Sequence, residues 1–281
     1  MVIVGGLPFE IVPEGRLSEA EREVVAGLPP PGAVPSSMLV TSARPFVVEL
    51  VEGPVASTPD PGVPERDADD APAAVSWAGD RVWIRHRRLE AELDPFAGRG
   101  WLRRDTSAGW PVEVTLRTAL AARLPLEGGL PLHAAGLVVT GGRGVAFYGP
   151  SGAGKSTLAA AAPYPVLSDE MVALVPSGSN GYGLTATGTW GTHGRGEAPA
   201  GVFPLAGVCA LDKGTGTRID RLAALAALRG LIPSTLVPPG PPLWSAALGV
   251  IGRVAREVTA YRLTWNPAHS PWTALEQALR D

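Results

Sequence analysis

Residues 149 to 156 read GPSGAGKS, a complete G-x-x-x-x-G-K-[ST] pattern. An apolar segment precedes it and a helix-forming STLAAAA follows, the strand-loop-helix context such a phosphate loop needs. Its glycines let the chain curl so that backbone amides face a phosphate chain. Gly149, Ser151, Gly152, Ala153, Gly154, Lys155, Ser156 and Thr157 are therefore the expected nucleotide-binding residues. Lys155 would reach the β- and γ-phosphates and the Ser156 hydroxyl would hold Mg²⁺. The chain has only two lysines, Lys155 and Lys213, against 22 arginines, and one of the two occupies the position that needs a compact ammonium.

A phosphate loop also needs an acid near its metal. PVLSDE, a short apolar run ending in Ser168, Asp169 and Glu170, places Asp169 only 14 residues after Lys155. That gap holds one short helix and a return to the sheet, so both acids would emerge beside the γ-phosphate. In-line phosphoryl transfer requires metal-bound phosphates, an oriented hydroxyl and an acceptor for its proton. Asp169 is the candidate general base, since a carboxylate that takes the proton late needs mainly correct placement. Glu170 is assigned to the metal, directly or through water. A Gly-rich segment, ATGTWGTHGRGEAPAG at 186–201, carries His193, Arg195 and Glu197, with Glu197 a further metal contact.

These side chains need a sheet to carry them. LHAAGLVV (132–139) and GVAFYG (144–149) flank TGGRG, which predicts a hairpin running straight into the loop, with His133 on its first strand. PVEVTLRTALAARLPLEGG predicts an amphipathic helix with Pro111 near its start and Gly128 past its end. Beyond the acids, strands are expected at MVALVPSG, YGLTATGTW, FPLAGVCALD and TAYRLTW. Helices are expected over RIDRLAALAALRGL, LWSAALGVIGRVAREV and, from a Ser270 cap, SPWTALEQALRD.

In the first part, Ser18 with Glu21 three positions on forms a capping box opening a short helix. GLPFEIV, PFVVELVEG and the alternating AVSWAGDRVWIRHRRLEAELD predict strands. Trp77, Trp83, Trp101 and Trp110 are read as core and strand-pair aromatics. The Pro/Asp-rich stretch 53–74 reads as a solvated loop. The division expected is a β-rich domain over 1–110, a bridging helix over 111–127 and an α/β catalytic domain over 128–281.

Composition excludes several classes. The 281 residues carry a formal net charge of -3 and no basic cluster beyond RHRR at 85–88, so neither nucleic acid nor an anionic membrane is an expected partner. No signal peptide or sustained apolar span is apparent, and a cytoplasmic location is expected. A lone Cys209 excludes an internal disulfide and multi-cysteine zinc sites; in LAGVCAL it reads as a core thiol. With 35 glycines and 29 prolines, the chain has long loops but stays below the ~25–30% typical of disorder.

The order of strand with His133, Gly turn, strand, GPSGAGKST, helix and LSDE resembles the catalytic core of HPr kinase/phosphorylase and its related serine kinases, which share a fold with phosphoenolpyruvate carboxykinases. The likeness covers roughly residues 128–212. It implies an α/β P-loop kinase core with a mixed sheet, here preceded by a small β-rich (α+β) domain. It also implies ATP and Mg²⁺ as cofactors, with His133, Asp169 and Glu170 around the γ-phosphate and the acceptor hydroxyl. Two aspartates stand in that enzyme where this chain has Asp169-Glu170, and its E-[IV]-R-G-x-G signature is missing. The function expected is transfer of the γ-phosphate to a serine or threonine of a small protein or peptide, a natural-product precursor peptide among them. A sugar or free-serine kinase and a non-catalytic nucleotide-dependent scaffold are the alternatives, and a homo-oligomer is compatible with all three.

Overall fold

The computed structural model describes residues 1–30, 44–55, 72–178, 181–188, 191 and 198–280. The chain is a mixed α/β protein with two sheets. The first contains β1 (Val2–Val4), β2 (Leu7–Pro13), β3 (Phe46–Val51), β4 (Ala74–Ala78), β5 (Arg81–His86), β6 (Leu89–Asp94) and β7 (Arg99–Arg104). Their order is β1-β2-β3-β7-β6-β5-β4, parallel at β2-β3 and β3-β7 and antiparallel elsewhere.

Period-two alternation splits this sheet into two faces. Val82, Ile84, Leu89, Ala91, Leu93 and Leu102 point into the core. On the opposite face Trp83 and Trp101 stand edge to face across Glu92, 6.2 Å apart. Arg85 covers Trp83 and Arg103 covers Trp101. Those two tryptophans are strand-pair aromatics on an outer face, while Trp110 opens a helix and packs edge-on against His86.

Helix α1 (Glu19–Ala26) begins with the capping box expected at Ser18 and Glu21, both hydrogen bonds being formed. Glu21 is fully buried and ion-paired to Arg104 at the end of β7. A helix of eight residues is too short to stand alone in water. Its cap and this cross-link hold it on the sheet.

Helix α2 (Trp110–Arg123) is shorter than the bridging helix expected. Residues Leu124–Glu127 tighten into a 3₁₀ turn, clasped by an Arg123–Glu127 ion pair and closed by Gly128 at φ 82°. Leu116, Ala119 and Leu120 of α2 belong to the same apolar cluster as Ile84 and Leu102 of the first sheet and Met171 and Ala173 of the second. Thus α2 is a layer between the two sheets, buried on nearly all sides.

The second sheet holds β8 (Leu130–Val139), β9 (Arg143–Tyr148), β10 (Val166–Ser168), β11 (Met171–Ser177), β12 (Gly181–Ala186), β13 (Phe203–Lys213), β14 (Arg218–Arg221) and β15 (Ala260–Trp265). β8 and β9 form the expected antiparallel hairpin. β9, β13 and β15 run parallel. The pairings β8-β9-β13-β12-β11 return to β8, so five strands close on themselves.

Helices α4 (Ala224–Ser234) and α5 (Pro241–Glu257) pack on one face, sharing a core with Leu132, Ala146 and Val208. The short α3 (Lys155–Ala160) and α6 (Trp272–Ala278) cover the other, sharing a core with Leu137, Phe147 and Leu263. Cys209 lies fully buried there and burial pushes its thiol pKa up, which makes it inert packing.

Two expected elements differ. The helix anticipated over 218–231 begins only at Ala224, because residues Arg218–Arg221 pair with β15 as an edge strand. Ile219 packs inward while Arg218 and Arg221 stay exposed, and backbone pairing along the free edge of β15 outweighs helix propensity. Helix α6 is capped at Pro271 without a side-chain bond, so Ser270 is not its cap. Edge-on packing of Trp272 against Tyr164, 5.4 Å apart, anchors that end instead.

Candidate functional site

The GPSGAGKS loop leaves the end of β9, whose last residue Tyr148 pairs with Ala134. On the other side of β8, His133 pairs with Met171. These two registers place His133 beside both the start of the loop and the start of β11. Ala135 and Leu137 of β8 face α3, while Met171 and Ala173 of β11, the partners of His133 and Pro131, face α2. His133 therefore sits at the seam between α2 and α3.

Within the loop, Gly152 and Gly154 have φ of 75° and 102°, the left-handed region that side chains resist. At Gly154 a Cβ would only touch the Trp265 ring, at 3.4 Å, so the backbone angle is what favours glycine there. Lys155 is buried, and its Nζ donates to the carbonyl oxygens of Gly149 and Pro150 at 3.0 and 3.3 Å. Among the described residues it has no carboxylate partner, and burial draws its pKa below the usual lysine range. A buried cation held by carbonyl dipoles alone, beside left-handed glycines, fits a bound polyphosphate.

The acids sit on the turn between β10 and β11. Ser168 is buried, and its Oγ accepts from the amides of Glu170 and Met171, each at 3.1 Å. This local clasp holds the Asp169-Glu170 turn. The amide of Ala134 donates to the carbonyl of Glu170 at 3.1 Å, tying the turn to the residue after His133. Asp169 is 4% exposed, whereas the Glu170 side chain is 42% exposed. The segment after β12 returns to the same place. The Thr187 hydroxyl donates to the carbonyl of Met171 at 2.8 Å, and a Cβ on Gly191 would lie 2.3 Å from Asp169 Oδ1. With φ at 100° as well, position 191 admits glycine because the carboxylate occupies the space. His193, Arg195 and Glu197 lie outside the described residues, as do residues 56–71 of the expected solvated loop.

One residue of the site escapes sequence reading. Arg117 of α2 reaches Glu170, Nη1 to Oε1 3.3 Å, and its charge is felt by His133. The available signal was a lone arginine between Glu113 and Arg123 in a helix otherwise rich in buried apolar residues. A charge retained in such a helix must face something polar.

His133 is half-buried, and its pKa lies below 6.5, first because of burial and then because of Lys155; Glu170 opposes the shift and Arg117 adds to it. The ring is thus neutral at pH 7 and free to accept a hydrogen bond on one nitrogen. Because the folded state binds this proton less readily than the unfolded chain, the stability His133 contributes is complete above pH 6.5. It is lost as pH falls from there through the folded pKa. In the nucleotide-free protein, the His133 Cε1–H resonance should titrate below pH 6.5, with Glu170→Gln moving the midpoint lower and Arg117→Ala moving it higher. A midpoint at or above 6.5 would contradict the electrostatic description of the site.

Among the described residues no three His, Cys, Asp or Glu side chains converge as a ready-made metal nest. Mg²⁺ is normally held by one or two protein ligands, water and substrate phosphate oxygens. Among the described residues, the Ser156 hydroxyl and the half-exposed Glu170 are candidate groups for such an arrangement.

A family model described as SynChlorMet cassette protein ScmC matches residues 113–235. The matched span runs from α2 to the residue after α4 and takes in Arg117, His133, the phosphate loop, Asp169, Glu170 and Gly191. No curated protein matches the chain. Among the described residues no helix is long and apolar enough to cross a membrane.

Proposed function

We propose that the protein is an ATP-dependent kinase of the HPr-kinase-related type, transferring the γ-phosphate to a serine or threonine hydroxyl of a small protein or peptide. The observation that carries this reading is the convergence of His133 and the Asp169-Glu170 turn at the mouth of the phosphate loop, through the pairing of β8 with both β9 and β11. A pure nucleotide switch has no chemical need for a buried carboxylate and a neutral imidazole there.

ATP with Mg²⁺, when bound, supplies the phosphoryl group and the ADP leaving group. Lys155 would give up its two carbonyl partners to bind phosphate oxygens. Ser156 and Glu170 would hold the metal, with Glu170 also paired to Arg117. Asp169, kept in place by the Ser168 clasp and the close approach of Gly191, takes the proton of the acceptor hydroxyl as the new P–O bond forms. Neutral His133 accepts a hydrogen bond from the hydroxyl or orients the carboxylate. Use of ATP is in keeping with the cytoplasmic location expected from the sequence.

The test is intact-mass measurement of candidate acceptors incubated with the protein, ATP and Mg²⁺. The ScmC likeness is to a cassette protein, so short serine-bearing products of neighbouring reading frames are the first acceptors to try. Addition of one phosphate to a serine or threonine is expected. The reading fails if ADP never accumulates with any peptide or protein acceptor.

A further inference from the structure

On the α4 face of the second sheet, across the phosphate loop from Asp169, a cleft encloses about 430 Å³. Its floor is the carboxyl ends of the parallel strands, Tyr148 of β9 and Asp212 of β13, and its wall is α4. Ligands of such sheets bind outside the carboxyl ends of parallel strands, and a volume of this order suits a small organic molecule. Gly149 and Pro150 line both this cleft and the loop.

We propose that this cleft is the subsite for the ribonucleoside of the phosphoryl donor. The proposal rests on the reading of the phosphate loop as a polyphosphate site. None of Arg117, His133, Asp169 or Glu170 lines the cleft. Tyr148 and Ala210 point to the α4 face, whereas His133 faces the seam between α2 and α3. The acceptor must meet the γ-phosphate beside Asp169. A group that continues from the loop onto the other face is therefore the remainder of the donor.

The lining has the chemistry of a nucleoside site. Leu222, Ala226 and Pro233 offer apolar surface for a flat base. Arg229, exposed and without a partner among the described residues, can stack on that base. Asp212, in a half-exposed pair with Arg262 at 3.2 Å, can accept from a ribose diol. Tyr148 lines the cleft, its hydroxyl being buried and without a hydrogen-bond partner among the described residues. Gly230 keeps the arrangement tight, since a Cβ there would lie 2.6 Å from the Tyr148 ring.

Calorimetric titration of the full chain in Mg²⁺ with ATP and with inorganic tripolyphosphate tests the assignment. Arg229→Ala removes the stacking cation and Ala226→Phe fills the cleft. Each should weaken ATP binding by about tenfold or more while leaving tripolyphosphate affinity within about twofold. Retained tripolyphosphate binding also reports that the variant is folded. Unchanged ATP affinity, parallel loss of both ligands, or a rise only in the acceptor KM would overturn the proposal. Failure of both ligands to bind the unaltered protein, or binding that survives Lys155→Ala, would sink the phosphate-loop reading and this one with it.

Discussion

Replacing Asp169 by asparagine is expected to lower the rate of phosphoryl transfer by about 10²–10⁴-fold, the usual worth of a positioned general base. The substitution keeps the size and shape of the side chain. Ser168 can still clasp the turn, and Gly191 still leaves room for the group. What is lost is the ability to take a proton. Because the lost interaction belongs to the transition state, kcat should fall while the KM for ATP stays within about twofold. Steady-state ADP release, checked by intact mass of the acceptor, measures both. A wild-type rate in the variant would mean that the base is another group, with His133 the next candidate. Lys155→Ala supplies the contrast, since it should abolish nucleotide binding itself.

The second large effect concerns stability. Glu21 is 0% exposed, and it accepts from the Ser18 amide at 2.8 Å and from Arg104 Nη2 at 3.0 Å. Arg104→Met removes the guanidinium and leaves a buried carboxylate with only its helix-cap bond. Breaking a buried pair on one side costs about 3–5 kcal/mol. That is a large share of the roughly 5–15 kcal/mol by which domains are stable. The urea midpoint should drop accordingly, and Glu21→Gln combined with Arg104→Met should recover much of the loss, because the uncompensated charge is then gone. A change under about 1 kcal/mol in Arg104→Met would show that water reaches Glu21 in the folded state. Since Ser18 also donates to the carbonyl of Ser107, just before α2, loosening α1 should reach the helix that carries Arg117.

Much of this architecture is legible along the chain because it depends on neighbours in sequence. Ser18 and Glu21 make a capping box from residues three apart. Pro111 and Gly128 bracket α2 and its terminal turn through their own backbone geometry. TGGRG closes the β8-β9 hairpin, and GPSGAGKS forms its loop from consecutive dihedral angles. Asp169 and Glu170 follow on a turn that Ser168 organises from within.

What local pattern missed depends on distant partners. Residues 218–221 read as helix until β15 offers them an edge to pair with. Strands β1 and β7 gain their status from neighbours, β7 lying between β3 and β6. Arg117 is an ordinary helix arginine until α2 is laid between the sheets and Glu170 comes within 3.3 Å. Gly191 is one more loop glycine until Asp169 occupies the place of its side chain.

The residue types and spacing were thus enough to nominate a phosphate-binding loop together with His133, Asp169 and Glu170, since loops, turns and caps form from short-range interactions. Only the tertiary structure decided which of those groups share a site, what restrains Glu170, why the His133 ring is neutral, and that a second cleft opens on the far face of the loop. Those properties are set by burial and by charges that folding brings together from separate elements, as with Arg117 and Glu170 at a separation of 53.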